Sequence, residues 1–139
     1  MKNMAFKVVD KLFVVVYGVR NPADEEWYRY MSVVRQYGIE KTVQLIVTDG
    51  GGPNSSQRKY LNDLLAGRVV PVSVLSGSTT VRGITTALGW FNREIKAFQP
   101  SDLAAALQHL GIPGHQVNLI GRYITELRSE LREPQLACG

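Results

Sequence analysis

Two runs of this chain, Val43 to Val47 and Val69 to Leu75, are apolar without the polar/apolar alternation of a half-solvated strand. A strand read this way is covered on both faces, which is the situation of a parallel sheet between helices. The segments between such runs return apolar residues at helical spacing, and that pairing of patterns narrows the fold to a layered α/β architecture.

The other segments fit the same plan. Phe6-Lys7-Val8-Val9 and Leu12 to Tyr17 are β-rich runs separated by Asp10-Lys11, a spacing that predicts a two-residue antiparallel hairpin. Asn21-Pro22 supplies an N-cap and a first-turn proline, with Asp24, Glu25 and Glu26 at the positive end of the helix that follows. Trp27, Tyr30 or Met31, and Val34 give that helix an apolar face, and Gly38 ends it. Tyr60, Leu61, Leu64 and Leu65 mark a second helix stopping at Gly67, and Val81, Ile84, Leu88 and Phe91 mark a third. Ile95 to Phe98 is a brief strand, and Pro100-Ser101 opens a fourth helix with Leu103, Leu107 and Leu110 inward, closed by Gly111. The expected fold is a single-domain mixed sheet, an N-terminal antiparallel hairpin followed by parallel strands joined by right-handed crossovers.

Residues 1–111 account for this α/β domain, and residues 112–139 form an added C-terminal helix and tail. Within the latter, Val117, Ile120, Ile124, Leu127 and Leu131 step by three and four, an apolar seam that must be covered. Two covers are open: the chain's own sheet or helices, or a homodimer or partner contact.

At 139 residues the chain can bury a core without staples, and 45% hydrophobic with 20% charged residues excludes a largely disordered chain. The single cysteine, Cys138, cannot form an internal disulfide, and no His/Cys cluster has metal-ligand spacing, so no metal or cofactor is expected. The apolar stretch Leu12 to Tyr17 is too short to span a membrane and lacks a signal-peptide layout; with the lone cysteine, this points to the cytoplasm. The net charge is +4, but the basic residues are scattered and often stand beside acids, as in Glu126, Arg128, Glu130, Arg132 and Glu133. That is a solvated surface and not a nucleic-acid groove.

In a parallel sheet the loops after the strands' carboxyl ends gather at one edge, where ligands usually bind. Those loops carry Arg20 and Asn21, then Asp49 with Gly50, Gly51 and Gly52, then Ser76-Gly77-Ser78, with Arg82 in the first turns of the next helix. Asp49 suits either a divalent cation or a turn cap. The glycines form no Walker sequence, since no Gly-Lys-Ser/Thr follows. Asn54 with Gln57 three residues on is a capping-box-like start, which alone accounts for the residue types around Ser55 and Ser56. The same geometry offers a phosphorylation site, because a phosphate on Ser55 or Ser56 would meet the helix's positive end. His109 and His115 fall far in sequence from the serines, so no nucleophile-base pair is suggested.

Element order and these residues together resemble a STAS domain, the fold of the SpoIIAA-like anti-sigma-factor antagonists. In that family a strand ends in aspartate, and an Asp-Ser-Ser-Gly type sequence opens the next helix with the phosphoacceptor serine. Here Asp49 matches the strand-end acid, Asn54 stands where the motif has aspartate, Ser55 matches the phosphoacceptor and Ser56 the small residue after it, while Gln57 departs from the motif's glycine. The likeness covers roughly the first four fifths of the chain. The segment Val74 to Ile84, with Trp90-Phe91 and Ala97-Phe98, is similar to a bacterial SpoIIAA-like branch. The resemblance implies a non-catalytic domain acting by protein contact around Asp49, Asn54, Ser55 and Ser56. The alternatives are a binder of a small anion or lipid, held by Gly50 to Gly52, Ser76, Ser78 and Arg82 or between helix and sheet, and a phosphoryl-transfer or hydrolytic enzyme using Asp49.

Overall fold

The computed structural model describes residues 2–88 and 94–137. Trp90, Phe91 and Cys138 lie outside these residues, as do the side chains of Ile84 and Leu88. Strands β1 (Met4–Val9), β2 (Leu12–Tyr17), β3 (Val43–Thr48), β4 (Val72–Leu75) and β5 (Ile95–Phe98) form one sheet in that spatial order. The pair β1–β2 is antiparallel and every later pair is parallel. The fold is therefore the expected α/β mixed sheet, with β3 in its centre. The hairpin closes at Val9 opposite Leu12, and Asp10 takes the left-handed conformation (φ 55°) that a two-residue turn between right-twisted strands requires.

Helices α1 (Asp24–Tyr37), α2 (Ser55–Leu65) and α3 (Thr79–Leu88) connect successive parallel strands, while α4 (Leu103–His109) and α5 (Val117–Ala137) follow the last. All six residues of β2 are buried, and their parity shows why the run carries no alternation. Phe13, Val15 and Tyr17 pack with Trp27, Tyr30, Met31 and Val34 of α1 and with Tyr60, Leu61, Leu64 and Leu65 of α2. Leu12, Val14 and Val16 face the other way, onto Ala106 and Leu107 of α4 and Ile120, Ile124 and Leu127 of α5. Three layers result, with apolar clusters on both sides of the sheet.

Of the two covers for the C-terminal seam, the chain supplies its own. Ile120 and Leu127 are 0% and 2% exposed against the sheet, and α5 lies on β1 and β2. Val117 and Leu131, at the two ends of the seam, are partly buried against the same cluster, and α5 shares the core of the elements before it.

Among the boundaries that differ from the sequence pattern, three have a visible cause. Helix α1 starts at Asp24 behind Ala23, not at Asn21-Pro22, because the Glu26 carboxylate reaches back to accept from Ala23 N (2.9 Å) and also from Asn3 N (2.8 Å). Strand β4 begins only at Val72: Val69 is 55% exposed, and Pro71 offers no N–H to a ladder. The end of α2 is turned by Ala66 itself in the left-handed region (φ 50°), one residue before Gly67.

Candidate functional site

The loops following β2, β3 and β4 meet at one edge of the sheet, and hydrogen bonds within the chain hold them there. The Gly51 amide donates to Gly18 O (2.8 Å), its carbonyl accepts from Thr48 Oγ1 (2.6 Å), and the Gly50 amide donates to the same hydroxyl (3.0 Å). Glycine at 51 is a matter of close approach, since a Cβ there would stand 2.1 Å from Arg20 O and 2.7 Å from Gly18 O. The β2–α1 and β3–α2 loops are thus laid directly on one another. Gly50 supplies a positive φ of 131°, and nothing lies within 4 Å of a Cβ at Gly52. The amides of Gly50 and Gly51 are committed to the protein, which takes two donors from the anion cradle that a glycine loop suggests.

Asn54 caps α2. Its Oδ1 accepts from Gln57 N (2.9 Å), and Gln57 Oε1 accepts from Asn54 N (3.0 Å), a reciprocal capping box. Gln57 does more than close the box. The side chain is fully buried, and its Nε2 donates to Pro22 O and to Asp24 Oδ1, both at 3.0 Å, joining the start of α2 to the start of α1.

On this support Ser55 and Ser56 are exposed in the first turn of α2. Ser55 Oγ accepts from Arg58 Nη2 (3.1 Å), while Arg58 Nη1 donates to Pro53 O (2.8 Å), so one guanidinium bridges the loop and the serine. Asp49 is also exposed and forms an ion pair with Arg128 of α5, Nη2 to Oδ1 at 3.3 Å. Arg128 Nε is buried without a partner among the described residues, so the guanidinium is held only by its outer end.

The third loop turns inward. Ser76 is 2% exposed; its Oγ accepts from Ser78 N (3.2 Å), and Ser78 Oγ accepts from Val81 N (3.2 Å) as the cap of α3. Arg82 Nη1 donates to Ser76 O (2.7 Å). These three residues, expected as ligand contacts, close their own turn. His109 lies at the other end of the sheet, its Nε2 2.8 Å from the carbonyl of Glu94, which precedes β5. The structure brings no histidine to the serines. Among the described residues, no group of three or more His, Cys, Asp or Glu side chains is placed to hold a metal ion.

The edge also holds residues that sequence reasoning passed over. Val19 is 74% exposed between Gly18 and Arg20, the two residues whose carbonyls meet Gly51. Arg58 was legible as the i+3 neighbour of Ser55; Arg128, 79 residues from Asp49, had no local signal. The chain matches no family model, no curated protein and no solved structure.

Proposed function

We propose that this chain is a non-catalytic regulatory domain of the STAS, SpoIIAA-like type, acting by protein contact through the edge formed by Asp49 to Ser56, with Ser55 as the regulated residue. The observation that carries the reading is the placement of Ser55. Its hydroxyl is exposed at the positive end of α2, 3.1 Å from a guanidinium nitrogen of Arg58, on a loop pinned by the buried Gln57. A phosphate at that oxygen would add about two negative charges beside a cation and a helix dipole, and so change the sign of a surface that cannot relax away. Val19 gives the same edge an exposed apolar side chain for a partner to cover.

Commitment of the Gly50 and Gly51 amides favours side-chain contact over capture of a free anion at this loop. No helix among the described residues is long and apolar enough to cross a membrane, and the reading places the domain's work in the cytoplasm. Partner capture with wild type, Ser55→Ala and Ser55→Asp tests the proposal. The expected result is a partner retained by Ser55→Ala and lost or exchanged with Ser55→Asp; identical partner sets for all three would remove the switch.

A further inference from the structure

Strand β1 is an edge of the sheet and lacks the usual devices that keep an edge from pairing. It is six residues long with no proline, and its register with β2 runs unbroken from Met4 opposite Tyr17 to Val9 opposite Leu12. The bond from Gly18 N to Asn3 O (3.0 Å) fixes the phase of the ladder: odd residues of β1 bond to β2, and the N–H and C=O groups of Met4, Phe6 and Val8 point away from the sheet. Glu26 accepts from Met4 N (3.3 Å). The outward amides of Phe6 and Val8 have no acceptor among the described residues.

The one charge that would guard this edge is turned aside. Lys7 Nζ lies 4.0 Å from the Tyr123 ring centroid and 4.0 Å from Glu126 Oε2, both on α5. Nearby, Lys2 pairs with Glu130 at 2.9 Å, so both lysines along the edge are paired within the chain. A second copy would meet no unpaired cation there, only the Glu26 carboxylate already bonded to the Asn3 and Met4 amides.

We infer that β1 pairs antiparallel with β1 of a second copy about a two-fold axis at Phe6, extending the sheet across the dimer. That centre is chosen by chemistry. It sets Met4 opposite Val8 of the partner subunit and Lys7 opposite a small alanine, whereas a centre at Lys7 would oppose two ammonium groups. The reciprocal bonds of Phe6 and those from Val8 N to the partner's Met4 carbonyl use the free outward groups and leave Met4 N on Glu26. The two loop edges then point in opposite directions and both stay open, so this dimer stands or falls independently of the proposed contact surface.

Sedimentation equilibrium of the full chain over a wide concentration range, with amide hydrogen exchange, tests the inference. Wild type should sediment at twice the chain mass, and its Phe6 and Val8 amides should exchange more than about tenfold slower than free amides. Val8→Pro removes an outward N–H together with part of a half-buried apolar side chain, leaves the β1–β2 ladder bonds intact and should yield a monomer. A wild-type monomer throughout the range, or a dimer whose Phe6 and Val8 amides exchange freely, overturns the inference. If Val8→Pro fails to fold, exchange at those two wild-type amides decides alone.

Discussion

Replacing Gln57 by leucine keeps nearly the same buried volume and deletes three hydrogen bonds, from Nε2 to Pro22 O and Asp24 Oδ1 and from Asn54 N to Oε1. The bond to the Pro22 carbonyl is buried, so water cannot replace it without opening the junction between α1 and α2, while Asp24 Oδ1 and Asn54 N are only partly buried. At about 1 kcal/mol net for each bond, the loss is about 3 kcal/mol. The greater hydrophobicity of leucine offsets little of this, because the buried Pro22 carbonyl is left facing an apolar group. With a urea slope of about 2 kcal/mol per molar, the unfolding midpoint should fall by about 1.5 M at unchanged slope. Gln57→Glu sharpens the test: it keeps an acceptor for Asn54 N, loses both donors and sets a carboxylate against Asp24. It should be at least as destabilised at neutral pH. A leucine variant within about 0.5 kcal/mol of wild type would show that the junction does not depend on this side chain, and with it would go the argument that Ser55 stands on a rigid support.

The glycine loop offers a matched pair of substitutions. Gly51→Ala drives a Cβ into Arg20 O and should cost about 3 kcal/mol in denaturant unfolding, while Gly52→Ala, with open space around its Cβ, should stay within about 0.5 kcal/mol. Asp49→Ala removes an ion pair whose side chains are 37% and 50% exposed, so thermal unfolding should report a loss below about 1 kcal/mol that shrinks further in high salt. Burial pushes the phenols of Tyr17 and Tyr30 up, Tyr17 further through its neighbour Tyr30, so both stay protonated in the fold at pH values where the unfolded chain ionises them. Stability should be indifferent to these groups below pH about 10 and fall above it by about 1.4 kcal/mol per unit for each phenol. Phenolate absorbance from the two should rise only as the far-UV circular dichroism is lost; ionisation in the intact fold would contradict it.

The architecture was legible because its signals are local and repeated. The runs in β3 and β4 announced a doubly covered sheet, and β2 shows the cause in its parity, alternate residues feeding two separate clusters. What local pattern could not give was competition between neighbours. Asn21-Pro22 is a good helix start by residue type, yet Glu26 moves the start to Asp24 by bonding Ala23, Asn3 and Met4 amides at once, two of them at the start of β1 more than twenty residues away. The glycines looked like free donors for the same reason: nothing near Gly51 in sequence says that Gly18 O will take its amide. The Asn54–Gln57 box, by contrast, is a spacing of three and could be read directly, while the bonds from Gln57 to Pro22 and Asp24 span 35 and 33 residues and could not.

Capping at this helix start and the regulation proposed for it therefore do not compete for the same residues. A helix leaves its first amides without intrahelical partners, and here the side chain of Asn54 takes the amide of Gln57. Gln57 is drawn inward by Pro22 and Asp24, and the two residues before it in the same turn, Ser55 and Ser56, face solvent. An aspartate at 54 would cap equally well but would set a negative charge beside any phosphate on Ser55; asparagine caps without that repulsion. Arg58, one turn on, already reaches the Ser55 oxygen. Asn54→Asp thus separates the two roles: it should leave the unfolding midpoint nearly unchanged while weakening any partner contact that depends on a negative group at Ser55. A large loss of stability in that variant would mean that the cap itself requires the neutral amide.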